Sequence, residues 1–280
     1  MRIRSDGKSK PSPIFRLIQK GVSATGGTLH VDVSDDGHSY RFVCSNKRTL
    51  RRATTLLVKE PGTIRWLREQ AKPGRVFLDI GANVGIYSIF AAQHMGKDGQ
   101  VYSVEPHLQN AVALMDNVMA NHLQDRVSVL SMALSRSRSI IDFRYEEWDV
   151  GSAHSQLQTG DPMTAVPNSA ATELKATTSV DLLIEDKSIQ VPDFIKIDVD
   201  GIEMAILEGA SGLLRSQDGP GSVQIECEPD TYEQVDEFMG DHGYQLVERH
   251  GNMSGAGQAA LGTAIKDMTH NAVFEPRKPR

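Results

Sequence analysis

The spacing of apolar positions changes period several times along the chain. Residues 1–13 are polar, contain Pro11 and Pro13, and are expected to form a flexible N-terminus. Residues 14–20 have the spacing of a short amphipathic helix. Leu29, Val31 and Val33 alternate with polar neighbours, as do Tyr40, Phe42 and Cys44. Asp35-Asp36-Gly37 lies between the two runs, which predicts a β-hairpin. Residues 47–58 and 62–70 read as helices divided at Pro61. The hairpin and helices of residues 14–72 are expected to form an accessory region ahead of the main domain.

From Arg75 the pattern becomes an alternation of strands and helices. Short apolar runs at 76–80, 101–104, 127–132, 194–197 and 223–227 predict strands. Between them, 86–94 and 108–122 have helical spacing, the second through Leu108, Val112, Met115 and Met119. Ile202, Ala205, Ile206, Gly209 and Leu213 predict one further helix, and Tyr232, Val235, Phe238 and Met239 another. Tyr244–Val247 and Ala272–Phe274 read as short closing strands. This alternation predicts an α/β fold with a doubly wound, mostly parallel sheet over residues 73–276, followed by a tail at 277–280. Two segments interrupt it. Residues 133–180 hold strand-like pieces around a polar loop with Trp148, His154 and Asn168, and residues 250–270 are rich in Gly, Ala, Ser and Met. Insertions of this length are lids, binding loops or disorder.

Composition narrows the function classes. The 280 residues are 39% hydrophobic and 24% charged, in keeping with a packed core. A net charge of -6 offers no general basic face for nucleic acid, and the locally basic first twenty residues read as a solvated tail. Cys44 and Cys227 form no CxxC pair and predict neither a disulfide scaffold nor a zinc site. No run of about 18 apolar residues predicts a membrane span. The N-terminus lacks the apolar core of a secretory signal, so a cytoplasmic protein is expected.

The chemistry concentrates in Phe77-Leu78-Asp79-Ile80-Gly81-Ala82-Asn83-Val84-Gly85, an apolar strand running into a glycine turn and a helix. Gly81 and Gly85 let the backbone turn sharply and approach a ligand. Glu105 follows 20 residues after Gly85, at the end of the second strand, where an acid accepts hydrogen bonds from ribose hydroxyls. A dinucleotide site prefers glycine where Asn83 stands, and Asp79 would repel a pyrophosphate. Asp79 suits instead a cationic amino-acid moiety. With Ala133 after the third strand, the cofactor-binding candidates are Asp79, Gly81, Asn83, Gly85, Glu105 and Ala133.

The run 77–85, then Val101-Tyr102-Ser103-Val104-Glu105-Pro106, then Phe194-Ile195-Lys196-Ile197-Asp198-Val199-Asp200-Gly201-Ile202-Glu203, resembles the FkbM-type methyltransferases. Lys59–Trp66 and Asn271–Phe274 are similar to further segments of that family, so the resemblance spans about residues 55–275. It implies a class I methyltransferase (Rossmann-like) fold with a seven-stranded sheet whose last strand is antiparallel. It implies S-adenosyl-L-methionine as cofactor and, usually, O-methylation. Residues 146–176 and 250–270 match poorly, and acceptor specificity is expected there.

Asp198, Asp200 and Glu203 follow the fourth strand, with Glu226 and Glu228 near the end of the fifth. These acids orient a hydroxyl, act as a base or hold Mg²⁺, or simply favour a helix start. The metal-free reading is preferred, with Asp198 near the transfer point and His154 as the base. The expected partner is the hydroxyl of a small molecule, sugar, glycan or secondary metabolite. A nicotinamide-dependent oxidoreductase and a non-catalytic cofactor-binding module stand as alternatives, and oligomeric state is left open.

Overall fold

The computed structural model describes residues 1–153, 155–158, 169–251 and 268–278. Strand β1 (Arg2–Ser5) and helix α1 (Pro13–Ala24) precede a hairpin of β2 (Leu29–Asp35) and β3 (His38–Cys44). Helices α2 (Lys47–Thr54) and α3 (Pro61–Gln70) lead into the alternating region. That region runs β4 (Val76–Ile80), α4 (Ile86–Met95), β5 (Gln100–Val104), α5 (Leu108–Ala120) and β6 (Val127–Leu130). It resumes after the insertion with α6 (Val180–Glu185), β11 (Phe194–Ile197), α7 (Glu203–Glu208), α8 (Ser211–Arg215) and β12 (Ser222–Cys227). Helix α9 (Tyr232–Asp241) and strands β13 (Tyr244–Gly251) and β14 (His270–Pro276) close the fold.

The central sheet has seven strands in the order β13-β14-β12-β11-β4-β5-β6. Pairs β12-β11, β11-β4, β4-β5 and β5-β6 are parallel. The last strand, β14, runs antiparallel to both neighbours. This is the expected class I methyltransferase sheet. The insertion folds as well: β7 (Ala133–Leu134), β8 (Ser139–Tyr145), β9 (Gln156–Leu157) and β10 (Ala171–Thr178) form a second sheet ordered β7-β10-β8-β9.

The N-terminal residues differ from expectation. Residues 2–5 form a strand paired in parallel with β2, making a three-stranded sheet β1-β2-β3. The hairpin turn carries positive φ at Asp36 and Gly37, the geometry that matches strand twist in a two-residue loop. Buried Leu29, Val31, Val33, Tyr40 and Phe42 share one apolar cluster with Phe77, Val101 and Phe194 of the main sheet. No break in packing therefore falls at residue 72. Helix α4, buried on nearly every side, lies between the two sheets. Trp66 meets the stacked rings of Phe77 and Phe194 edge-on and donates its indole N–H to Ser222 Oγ at 2.8 Å, fixing α3 to the sheet.

Helix α5 forms where its period predicts but turns a different face inward. Leu108, Val112, Met115 and Met119 are exposed, whereas Ala111, Ala113, Leu114, Asn117 and Val118 are buried. The reason is the edge of β3. Asn117 accepts from the backbone N–H of Val43 at 2.7 Å and donates to the carbonyl of Val84 at 2.7 Å. One turn later Asn121 accepts from Arg41 N at 2.8 Å and donates to Arg41 O at 2.6 Å. The two amides pair backbone groups that an edge strand leaves open. The helix expected across Ile202–Leu213 also divides. A Cβ at Gly209 would lie 2.2 Å from the Ser135 carbonyl oxygen, and the Asp181 carboxylate accepts from Gly212 N and Leu213 N to start α8 afresh.

Replacing Asn117 by Ala leaves two backbone groups without their partner, each costing about 1–3 kcal/mol when buried. Urea unfolding of Asn117→Ala is expected to show a loss of about 2 kcal/mol or more at unchanged m-value. A loss below roughly 0.5 kcal/mol, the range of surface substitutions, would contradict the edge-pairing role.

Candidate active site

The carboxyl end of β4 turns into α4 through three residues with positive φ. Gly81, at φ +82°, packs so tightly that a Cβ would lie 1.8 Å from the Asp198 carbonyl oxygen. Asn83, at φ +52°, occupies the left-handed region that asparagine tolerates. Its side-chain amide donates to Ser152 O at 2.9 Å, a bond glycine could not make. Gly85, at φ +79°, starts α4, and a Cβ there would lie 2.1 Å from Leu114 Cδ1.

Glu105 stands just past β5 and is 5% exposed. One carboxylate oxygen accepts from Asn83 N at 2.7 Å and the other from His107 N at 2.8 Å. Burial pushes its pKa up to about 7, against the pull of those two N–H donors. The cavity beside it is lined by Gly81, Asn83, Glu105, Ala133 and Asp198, among others.

Two expected cofactor residues lie elsewhere. Asp79 does not line the cavity. Strand alternation turns it toward α4, where it is buried and accepts from Ser88 Oγ at 2.5 Å. Gly85 is likewise outside the lining, because it serves the contact between α4 and α5. The sequence reading missed His107, Asn110 and Ser152, which do line the cavity. Asn110 accepts from Gly151 N at 2.7 Å and donates to Ser152 O at 3.1 Å. His107 Nε2 lies 3.0 Å from Glu147 O and 3.1 Å from Ser152 Oγ. These bonds tie the inserted loop over the turn between β4 and α4. Proximity of His107 and Asn110 to Glu105 on a helix start was the available signal; the identity of their loop partners was not. Trp148 is 45% exposed and packs on Tyr145 and His107.

The acids after β11 take different roles. Asp198 pairs with Lys196, whose ammonium is buried and lies 5.1 Å from the Tyr87 ring centroid. Desolvation alone would raise the Asp198 carboxyl, but Lys196 and then Lys59 outweigh it and hold the group below its usual range. The Asp198 charge, with burial, pushes Glu226 up to about 10, so Glu226 is protonated at neutral pH and hydrogen-bonds to Asp198. Glu203 opens α7 and accepts from Gly201 N at 3.0 Å, with its pKa raised by burial to about 7. Asp200 lines the cavity, and Glu228 accepts from Thr269 Oγ1 at 2.6 Å. Among the described residues no three His, Cys, Asp or Glu side chains are placed to hold a metal ion. His154 and Asn168 lie outside the described residues.

Residues 79–246 match the model of the methyltransferase FkbM domain. The hexuronic acid methyltransferase AglP of Haloferax volcanii is 26% identical over 180 residues, covering 64% of this chain and 68% of that protein. A methyltransferase FkbM from Methylobacillus flagellatus aligns at a TM-score of 0.46 and 14% identity, over 81% of this chain and 53% of that one. A protein described as a putative rRNA-methylase from Clostridium thermocellum aligns at 0.48 and 11%, over 79% and 96%.

A carboxyl whose folded pKa is raised contributes stability below its unfolded pKa and loses it as pH rises through the folded one. For Glu105 that window runs from an ordinary 4.5 up to about 7. Glu105→Gln removes the titration. The stability of the variant relative to the parent is therefore expected to shift in the variant's favour between pH 5 and pH 8 in chemical denaturation. A difference that stays flat with pH would mean Glu105 ionises freely in the folded protein.

Proposed function

The chain belongs to the FkbM methyltransferase family and uses S-adenosylmethionine; we propose that it transfers the methyl group to a hydroxyl oxygen of a sugar or sugar-containing acceptor. Membership sets aside the nicotinamide oxidoreductase. The observation that carries the donor assignment is Glu105. Its carboxylate is buried at the end of β5, each oxygen accepts one backbone N–H, and both retain acceptor capacity on the cavity wall. That pair of acceptors fits a ribose diol, and Ala133, Phe143, Leu157 and Ile202 supply an apolar wall suited to a base ring. Gly81 and Asn83 form the turn under the amino-acid end of the ligand. The sugar acceptor is supported by the relative that methylates a hexuronic acid.

When bound, S-adenosylmethionine supplies an electrophilic methyl group on a sulfonium. The chain's own work is to orient the acceptor oxygen, exclude water and take up the hydroxyl proton. Asp198 is a poor proton acceptor, because Lys196 and Lys59 stabilise its charge. It is a good hydrogen-bond acceptor for the same reason, and we assign it to orienting the hydroxyl. The proton is assigned to His154, on imidazole chemistry and on its place in the chain between Ala153 and Ser155, which both line the cavity.

S-adenosylhomocysteine is expected to raise the melting temperature, corresponding to roughly 2–4 kcal/mol at a hundred to a thousand times its dissociation constant. Glu105→Ala is expected to weaken that binding by about 1.5–3 kcal/mol. No thermal shift in the parent protein, or unchanged affinity in the variant, refutes the donor assignment.

Asp198→Asn is expected to lower kcat on a sugar hydroxyl while leaving S-adenosylhomocysteine affinity nearly unchanged. His154→Ala is expected to lose roughly 10²–10⁴ in kcat, the usual worth of a positioned base. Full turnover in either variant removes that residue from the reaction.

A further inference from the structure

A second cavity, of about 320 Å³ and open to solvent, adjoins the first and is walled on one side by Arg48, Arg51, Arg52 and Lys59. Its size falls within the roughly 300–1,000 Å³ of small-molecule sites. Ser152 and Ala153 line both cavities, so a single stretch of the inserted loop is their common wall. The first cavity is accounted for by the donor; the second has no assigned occupant.

Four cationic side chains face two carboxylates, Glu146 and Glu147, in its lining. Arg48 pairs with Glu147, and Lys59 with Glu60 at 2.6 Å. Arg52 donates to the Gly151 carbonyl at 3.1 Å, and among the described residues neither it nor Arg51 has a carboxylate partner. Arg41, Arg65, Arg68 and Arg138 pair with Asp32, Glu248, Asp35 and Asp186, whereas Arg126, like Arg52, donates to backbone carbonyls. Two neighbouring guanidiniums left without carboxylates, on a protein of net charge -6, mark a place that favours an anion. The field of this wall also reaches the reaction centre, since Arg52 acts on Glu105 and Lys59 on Asp198.

We propose that the cavity walled by Arg51 and Arg52 is the acceptor subsite, and that the acceptor carries an anionic group, a sugar carboxylate or phosphate, which those guanidiniums hold beside the donor cavity. This rests on the methyltransferase reading of the first cavity and narrows its substrate class. A neutral sugar of the same size lacks that anchor.

The test uses the full chain saturated with S-adenosylhomocysteine and titrates three probes by calorimetry: methyl glucuronide, glucose 6-phosphate and neutral methyl glucoside. At least one anionic probe is expected to bind tenfold or more tighter than the glucoside, with the advantage falling as salt is raised. Preference for the glucuronide identifies the carboxylate source, and preference for glucose 6-phosphate the phosphate source. Arg51→Gln, and the double variant with Arg52→Gln, are expected to erase the preference while S-adenosylhomocysteine affinity changes less than twofold. The single variant guards against disturbance of the Arg52 bond to Gly151. Equal binding of neutral and anionic probes, no binding of any probe, or variants that keep the preference overturn the proposal. So do variants that lose S-adenosylhomocysteine affinity instead, because the guanidiniums would then serve the donor's own carboxylate. Failure of the parent protein to bind S-adenosylhomocysteine at all would instead strike the donor assignment.

Discussion

A lysine ammonium buried in the fourth parallel strand organises the catalytic edge of this protein. Lys196 is 1% exposed, and taking such a charge out of water costs several kcal/mol unless opposite charge comes with it. Asp198 supplies the direct partner, with Glu60 and Asp79 adding to the field that keeps the lysine charged. The Tyr87 ring lies over the ammonium. Each compensation has a further effect. Asp198 stays ionised at the cavity and forces the neighbouring Glu226 to keep its proton. Glu60 brings Lys59, and with it the start of the basic wall, against the sheet. One buried charge thereby links the accessory helices, the donor cavity and the neighbouring arginines.

The parallel sheet was legible because its strands are buried on both faces and read as unbroken apolar runs, and because glycine turns mark their carboxyl ends. Gly81, Asn83, Glu105, Ala133 and Asp198 were placed at the cavity by the same logic, since open α/β sheets bind ligands beyond those ends. Asp79 lies off the cavity lining for a reason of parity. A residue one step from the strand end points to the opposite face, and periodicity alone does not say which face meets the ligand. Gly85 lies off the lining because a glycine turn serves helix packing as readily as ligand approach.

Helix α5 shows a different limit. Its apolar stripe at Leu108, Val112, Met115 and Met119 has the right period, yet the helix turns inward the face carrying Asn117. The asparagines are needed there because β3 ends a sheet whose backbone would otherwise lack partners. A hydrophobic pattern scores burial by side-chain polarity and so misses a polar residue that is buried in order to satisfy a distant backbone. The inserted loop was hidden for the same reason. Its hold on the site runs through the carbonyls of Glu147 and Ser152 and the N–H of Gly151, which every sequence possesses.

Gly81 lies against the carbonyl of Asp198, more than a hundred residues further along the chain. The cavity wall likewise draws on the β4 turn, the β5 end, the inserted sheet and the β11 end. No contiguous fragment holds a working part of it. Closing such long loops costs entropy before any contact repays it, which places this fold among the slower topologies. The cavity is complete only with the fourth parallel strand docked beside the first.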